Sequence, residues 1–285
     1  MTARLVAPTA FKGTMSPLEA ARHLAQPGDR LFPLSDGGDG FLECLQQALG
    51  GHYLEFSAED PFGHPKPVPV LVLPGGIVAL ECAQVIGLAG LERLDPRGAS
   101  SRGFGQLLSN FQDAPELWIG LGGSATVDGG ADWPKLELRN AKVFCDVETD
   151  LRDAARLFGP QKGAGPEDVS FLEGRLMSLG LPTGPRTGAA GGLGAKLQSL
   201  GAELLNGADA VLNALDFNRV CRDFDTVITG EGRLDVSTLE GKLPARVAQR
   251  ARSLGLRVLG HFGCRGSGWK EAAGLFDEVV FEMPE

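Results

Sequence analysis

The chain has 285 residues, of which 43% are hydrophobic, so its length predicts two domains with cores of their own. A formal net charge of −9 and an aromatic content of 7% argue against nucleic acid and an anionic membrane as partners. No apolar run approaches the roughly 18 residues of a membrane helix, and residues 1–10 lack the apolar core of a signal peptide, so we expect a cytoplasmic protein.

The glycine and cysteine contents narrow the class of fold. Glycine accounts for 41 of the 285 residues, twice the usual share of about 7%, which predicts many tight turns and close backbone approaches. The cysteines are far apart, with no C-x-x-C pair and no histidine at zinc spacing. We therefore expect free thiols, most of them buried, at Cys44, Cys82, Cys145, Cys221 and Cys264.

Two strand–loop–helix units open the chain. A strand at residues 5–8 is followed by a loop that contains Lys12, and residues 16–19 form a capping box with proline at the first helical position. A second strand at 31–34 runs into the loop 35–40 and then into a helix that ends before two glycines. Alternating strands and helices predict α/β layers.

The predicted pattern of strands and helices changes after residue 51. Short extended segments joined by a proline-rich turn indicate an inserted, partly antiparallel domain. Further strands are predicted at residues 77–82, 117–119, 142–147, 257–263 and 277–281, and helices at 99–111, 167–178, 188–200 and 208–224.

Residues 120–130, the glycine loop, follow one of these apolar strands. Gly120, Gly122 and Ala125 match the dinucleotide fingerprint G-x-G-x-x-G/A, and Asp146 ends a later strand where that motif expects its ribose ligand. Asp128 opposes this interpretation, since an anion in the loop repels a pyrophosphate unless a metal intervenes. A nicotinamide site and a glycine-rich turn that only closes a strand both stay open.

Residues 226–250 combine a strand, a charged segment and a helix. The β-branched run 226–228 predicts a buried strand, and apolar spacing from residue 241 onward predicts a helix with Pro244 in its first turn. We interpret Gly230 and Gly232 as part of a loop whose backbone approaches a ligand. The segment carries the polar side chains Glu231, Arg233, Asp235, Ser237, Thr238 and Lys242.

The polar residues near strand ends are of the types that phosphoryl transfer needs, namely cationic donors, carboxylates for Mg²⁺ and a group for the attacking hydroxyl. No Walker A sequence is present, and the four histidines have no partner at a triad spacing. The set comprises Lys12, Asp36, Ser124, Asp128, Asp146, Lys162, Glu231, Arg233, Asp235 and Lys242.

Nine segments occur in the same order as similar segments of the bacterial glycerate kinase family, which the chain resembles from about residue 5 to residue 263. They are APTAFKGTMSPLEAARHLA, PLSDGGDGF, ALECAQVIGLAGL, GLGGSATVDGGA, FCDV, FGPQKGA, TGAAGGLGAKL, GAELL and VITGEGRLDVSTLEGKLPARVA. The resemblance implies phosphorylation of D-glycerate, or a related hydroxy acid, by ATP with Mg²⁺. It implies an α/β fold of two domains with the active site in their cleft.

With the resemblance, we predict a Rossmann/flavodoxin-like parallel α/β/α domain of residues 1–50 and 200–285, and an inserted mixed α/β domain of residues 51–199. The number of subunits stays open, a homo-oligomer included.

The matched motifs imply that these residues line the site, and the role of each is our physical hypothesis. The proposed catalytic residues are Asp235, Asp128, Lys12 and Arg233. The proposed nucleotide-binding residues are Gly122, Gly123, Ser124, Glu231 and Lys242. The proposed hydroxy-acid-binding residues are Ser35, Asp36, Asp39 and Lys162, and the proposed metal ligands are Asp128, Asp235 and Asp146.

The chain departs from the family pattern around the glycine loop. Val127 replaces an asparagine, the long helix that follows Ala131 in the family is missing, and residues 148–152 replace an asparagine-proline-leucine-glycine run. Loss of a helix N-terminus weakens an anion site, so these departures predict lower nucleotide or substrate affinity. A shortened relative that binds a small acid or nucleotide without turnover is therefore the alternative to a kinase, and a nicotinamide-dependent oxidoreductase is a second.

Overall fold

The structure, a computed structural model, describes residues 3–282. Its strands are β1 (Arg4–Val6), β2 (Arg30–Leu31), β3 (His52–Glu59), β4 (Pro65–Val72), β5 (Val78–Glu81), β6 (Leu117–Leu121), β7 (Ala141–Cys145), β8 (Glu203–Asn206), β9 (Thr226–Leu234), β10 (Arg257–Arg265) and β11 (Glu278–Phe281). Its α-helices are α1 (Pro17–Leu24), α2 (Phe41–Leu49), α3 (Cys82–Ile86), α4 (Arg102–Leu108), α5 (Ala154–Phe158), α6 (Pro166–Ser178), α7 (Ala189–Ser199), α8 (Gly207–Ala214), α9 (Phe217–Val220), α10 (Leu243–Ser253) and α11 (Trp269–Ala273). Short 3₁₀ helices lie at Pro74–Gly76, Ser109–Phe111, Leu151–Asp153, Pro160–Lys162, Cys221–Asp223 and Val236–Glu240.

The described residues divide into two compact units. Unit 1 comprises the chain up to Asp36, Glu43–Leu49 and the chain from Ala208 onward, and unit 2 comprises Gly37–Leu42 and Gly50–Gly207. The chain therefore leaves unit 1 inside the loop 35–40, which the sequence assigns wholly to the first domain. The boundaries of the two predicted domains stay a prediction.

Unit 1 contains a fully parallel sheet in the order β2-β1-β9-β10-β11. Numbered within the unit, this order is 2-1-3-4-5, the flavodoxin-like arrangement, in which the direction of winding reverses between the first and third strands. That switch point lies between β1 and β9, where ligands bind in open α/β sheets. The prediction of an α/β fold with a flavodoxin-like parallel sheet is confirmed.

Strand β9 is longer than the sequence predicts. It continues to Leu234, because β10 pairs with it as far as Arg265. A Cβ atom on Gly230 would lie 1.8 Å from the carbonyl oxygen of His261. The interpretation of Gly230 and Gly232 as loop residues is therefore wrong, since both lie in β9, and the neighbouring strand occupies the space beside Gly230.

Unit 2 contains a mixed sheet in the order β3-β4-β5-β6-β7-β8. The first three strands are antiparallel to one another, as predicted for this part of the chain, and β5 to β8 are parallel. Register pairs Glu81 with Gly120 and Leu121 with Cys145. The side chain of Glu81, the glycine loop and Asp146 consequently share one edge of the sheet.

Local sequence signals are accurate where neighbouring residues decide the structure. Ser16 and Glu19 form the predicted capping box of α1, and Pro244 lies in the first turn of α10. The sequence does not reveal β8, α3, α5 or α11, which are five residues long or shorter. All five cysteines are free, and only Cys264 is exposed. No helix in residues 3–282 is long and apolar enough to cross a membrane.

Candidate active site

The glycine loop of unit 2 follows β6 and is held by the segment after α3. Leu88 donates its backbone N–H to the Gly123 carbonyl at 2.8 Å, and Ala125 donates to the Ile86 carbonyl at 2.8 Å. Ser124 is buried and forms an isolated bridge with Gly87. The loop is thus fixed by backbone bonds on both sides of its serine.

Two carboxylates lie against the glycines of this loop. A Cβ atom on Gly122 would lie 2.9 Å from Asp146 Oδ2, and one on Gly123 would lie 2.6 Å from Asp39 Oδ1. Gly123 also has φ +66°, which a residue with a side chain rarely adopts. Both glycines are therefore needed for Asp39 and Asp146 to approach the loop backbone.

Lys162 lies beneath the same loop with only 3% of its surface exposed. Its ammonium group donates to Ser124 Oγ at 3.0 Å and to the Thr126 carbonyl oxygen at 2.8 Å, and both acceptors are neutral. Burial lowers the pKa of Lys162 to about 8, against the opposing charges of Asp128 and Asp146. The group is still protonated at neutral pH, so it places a buried positive charge at Ser124.

Asp128 is engaged within the protein. Its Oδ2 atom accepts the backbone N–H of Ser101 at 2.7 Å and the Ser101 hydroxyl at 2.9 Å. Its other oxygen accepts the Gly130 N–H at 3.4 Å. Trp133 in turn donates to the Ser101 hydroxyl. This geometry favours a structural role for Asp128, and its role as base or metal ligand stays a prediction.

Glu81, which the sequence analysis misses as a site residue, is 2% exposed at the end of β5. Its carboxylate accepts the backbone N–H groups of Gly40 and Leu42, each at 3.1 Å, at the start of α2. Burial raises the pKa of Glu81 to about 7 despite these bonds, and the charge of Asp39 adds to the rise. Glutamate after an apolar run is a weak signal, and only the fold places it against residues 39–42.

In unit 1, the loop that carries Lys12 lies at the switch point of the sheet. Thr9 donates its backbone N–H to the Gly230 carbonyl at 2.9 Å, and a Cβ atom on Gly232 would lie 3.5 Å from the backbone nitrogen of Lys12. The loop closes on itself through a bridge between Phe11 and Met15. The Lys12 side chain is exposed.

A charged cluster follows at the end of β9. Lys242 Nζ lies 3.5 Å from Glu231 Oε2 and 3.7 Å from Asp235 Oδ1, and Arg233 Nε lies 3.4 Å from Asp235 Oδ2. The Thr238 hydroxyl donates to Glu231 Oε1 at 3.1 Å. The structure therefore brings together the four charged residues that the sequence singles out in this segment.

The two carboxylates of this cluster have opposite pKa shifts. Burial raises the pKa of Glu231, and Lys242 and Thr238 oppose the rise only in part. Burial also acts to raise the pKa of Asp235, but the hydrogen bonds from Ser237 and the charges of Lys242 and Arg233 outweigh it, so this pKa is lowered. Asp235 is therefore ionised at neutral pH.

Residues 3–282 contain no cluster of three or more histidine, cysteine or acidic side chains that could hold a metal ion alone. Magnesium bound with a nucleotide needs only one or two carboxylates, because phosphate oxygens and water complete its shell. Asp39 and Asp146 fit this need, since both lie against the glycine loop. Asp235 fits it less well because Arg233 and Lys242 already neutralise it.

Comparison with known proteins gives a family match across nearly the whole chain. The model of the glycerate kinase family matches residues 4–135 and 132–280. The chain belongs to the glycerate kinase family. A glycerate kinase from Halalkalibacterium halodurans is 32% identical over 344 aligned residues, which cover 99% of this chain and 88% of that protein.

Two further relatives of this family member support the match. The glycerate kinase of Bacillus subtilis is 33% identical, over 91% of this chain and 84% of that protein. The glycerate 2-kinase of Escherichia coli is 29% identical, over 91% of this chain and 84% of that protein.

A solved structure of glycerate kinase 2 from Salmonella typhimurium LT2 is similar with a TM-score of 0.77 and 28% identity, covering 98% of this chain and 90% of that one. The protein is accordingly a kinase with two α/β domains.

The shortening of this glycerate kinase family member lies close to residues 132–135. The family match breaks into two parts that overlap at residues 132–135, and the Halalkalibacterium alignment is longer than this chain. No helix occupies residues 122–140. Val127, where asparagine is expected, is fully buried and packs with Leu151 and Leu176, so an apolar residue suits its surroundings.

The absence of a helix in residues 122–140 also removes the basis for the nicotinamide alternative. The dinucleotide fingerprint depends on a helix that begins directly after its glycines and directs backbone N–H groups at the pyrophosphate. In this kinase the glycines lead instead into the irregular segment before β7. The formal match of Gly120, Gly122 and Ala125 is thus a glycine-rich turn.

Proposed function

We propose that this protein transfers the γ-phosphoryl group of ATP to a hydroxyl of D-glycerate, with Mg²⁺. The C2 hydroxyl is the proposed acceptor, since the Escherichia coli relative is named glycerate 2-kinase. The observation that carries the proposal is the buried ammonium of Lys162 bonded to Ser124. Burial of a charge is costly unless a counter-charge accompanies it, and a phosphate or carboxylate at the glycine loop would supply one.

The glycine loop is proposed to bind phosphate oxygens. Its serine hydroxyl and its backbone N–H groups are donors, and the Lys162 charge strengthens them because the surroundings exclude water. Gly122 and Gly123 let Asp146 and Asp39 lie directly against the loop backbone, where these carboxylates can share a cation with a bound phosphate. Mg²⁺, when bound with the nucleotide by these two carboxylates, would neutralise charge that develops on the phosphoryl oxygens.

The charged cluster of unit 1 is proposed to act on the acceptor and on the transferred group. Asp235, ionised at neutral pH, orients the substrate hydroxyl and accepts its proton as the new bond to phosphorus forms. Arg233 and the exposed Lys12 bind the glycerate carboxylate or the phosphoryl oxygens. Lys242 and Glu231 are proposed to bind the nucleotide, and Ser35 and Asp36 are proposed to bind glycerate.

The test is an assay of ADP release with D-glycerate, ATP and Mg²⁺, followed by identification of the product. We expect Mg²⁺-dependent formation of 2-phosphoglycerate. Formation of 3-phosphoglycerate would support the kinase activity and overturn only the choice of the C2 hydroxyl as acceptor. Calorimetric binding of ATP and glycerate without any product would instead support the shortened, non-catalytic relative.

A further inference from the structure

We propose that Trp133 is a positioning residue for the glycine loop, acting through Ser101 and Asp128. Trp133 lies within residues 132–135, where the two parts of the family match overlap. It is therefore located in the shortened segment of this chain. The proposal rests on the proposed function only for its effect on the KM for ATP.

The hydrogen bonds form a directed chain that ends in the loop. The Trp133 indole N–H donates to Ser101 Oγ at 2.8 Å and to the Ser101 carbonyl oxygen at 2.9 Å. The Ser101 hydroxyl and backbone N–H donate to Asp128 at 2.9 and 2.7 Å. Because the indole N–H is a donor only, it directs the serine hydroxyl proton toward the carboxylate.

The indole ring also packs directly on the end of the loop. A Cβ atom on Gly130 would lie 3.3 Å from Trp133 Cδ2, and one on Gly105 would lie 2.5 Å from Trp133 Cγ. The ring meets Phe104 edge-on, with centroids 5.9 Å apart and planes at 71°. A slot formed by two glycines and an aromatic edge therefore accepts this side chain and fixes the backbone at Gly130.

All three members of the chain are buried, so water cannot replace a lost partner at low cost. Without the indole N–H, Ser101 Oγ can rotate away from Asp128, which leaves the carboxylate with fewer donors. Asp128 lies four residues after Ser124, in the same loop. Trp133 and Ser101 thus hold the loop in place in a chain that lacks the family's helix there.

The test compares Trp133→Phe with Trp118→Phe. Trp118 is a matched control because it is as buried as Trp133, at 7% against 8% exposed, and its indole N–H also donates to one side chain, Glu116 at 2.7 Å. Ser101→Ala is the second variant, since it removes the hydroxyl with little change in volume. Hydrogen exchange of the free protein and steady-state kinetics are measured for all three.

We expect faster amide exchange in residues 122–130 for Trp133→Phe and Ser101→Ala, but not for Trp118→Phe. The KM for ATP should rise about fivefold in the first two variants with kcat within about twofold, since a loop that binds substrate and transition state alike affects KM alone. Exchange in residues 122–130 equal to that of Trp118→Phe would overturn the proposal. A wild-type protein without kinase activity would overturn the proposed function, and the exchange comparison would still decide this inference.

Discussion

Lys162 donates a hydrogen bond of 3.0 Å from its ammonium nitrogen to Ser124 Oγ in the interior of unit 2. The two residues are 38 positions apart in the sequence. A buried cation bonded to a hydroxyl at the turn of a glycine loop is an arrangement suited to anions.

Replacing Lys162 with methionine should lower activity strongly while changing the free energy of unfolding only slightly. A pKa lowered from 10.5 to about 8 corresponds to a cost of the order of 3 kcal/mol for keeping the charge buried. The loss of a donor to Ser124 and Thr126 costs about 1 to 3 kcal/mol. These effects nearly cancel, so the free energy of unfolding at pH 7 should change by less than about 2 kcal/mol, while kcat/KM falls at least about a hundredfold.

The pH dependence gives a check on the same variant. Because the folded-state pKa of Lys162 is lowered, the cost is fully present below pH 8 and is relieved as the pH rises toward 10.5. Chemical denaturation should show wild type gaining stability relative to Lys162→Met across that window. If the two free energies of unfolding differ by the same amount at every pH, Lys162 does not carry a buried charge with a lowered pKa.

Gly123→Ala should impair the kinase more than a glycine replacement elsewhere. The new Cβ atom would lie 2.6 Å from Asp39 Oδ1, which must move away from the loop. Gly90→Ala is the control, because Gly90 also has positive φ, at +80°, with nothing within 4 Å of its added Cβ. The positive φ should cost each variant about 1 to 2 kcal/mol of stability, and Gly123→Ala should lose more because its Cβ atom also meets Asp39. Only Gly123→Ala should require a higher Mg²⁺ concentration for half-maximal rate, and equal Mg²⁺ responses would count against Asp39.

Deprotonation of Glu81 should lower the free energy of unfolding as the pH rises from 4.5 to 7. Its folded-state pKa of about 7 exceeds the usual 4.5, so its contribution is complete below pH 4.5 and is lost as the pH passes 7. The total loss is of the order of 3 kcal/mol. Unfolding of wild type and Glu81→Gln, measured from pH 4.5 to 8, should give a difference that shifts in favour of the variant. Parallel curves would show that Glu81 titrates normally.

Asp235→Asn should remove turnover while leaving the fold intact. Asparagine keeps a carbonyl oxygen to accept the Ser237 N–H, now 2.9 Å from Asp235, but it cannot take a proton. We expect kcat to fall by about 10² to 10⁴. Thermal unfolding should stay cooperative, with a somewhat lower midpoint because the ion pairs with Arg233 and Lys242 are lost. Lys270→Ala, an exposed change in α11 of the same unit, is the control for surface charge. Near-wild-type kcat in Asp235→Asn would remove Asp235 from the chemistry.

The sequence by itself determined the features that neighbouring residues control. The capping box at Ser16 and the proline start of α10 depend on contacts within a few positions. The motifs also placed Ser124, Asp146 and Asp235 beyond strand ends. The period of apolar residues is a local property, so a sequence pattern is enough to predict it.

Only the tertiary structure decided which of these groups meet, because pairing and burial join residues that are far apart in the chain. Pairing with β10 extends β9 to Leu234, and the backbone of His261 occupies the space beside Gly230. Packing joined Asp128 to Ser101, 27 positions away, and Glu81 to Leu42, 39 positions away. Asp128, which the sequence presents as a catalytic group, is thereby bonded to protein donors. A buried charge without such partners would be costly.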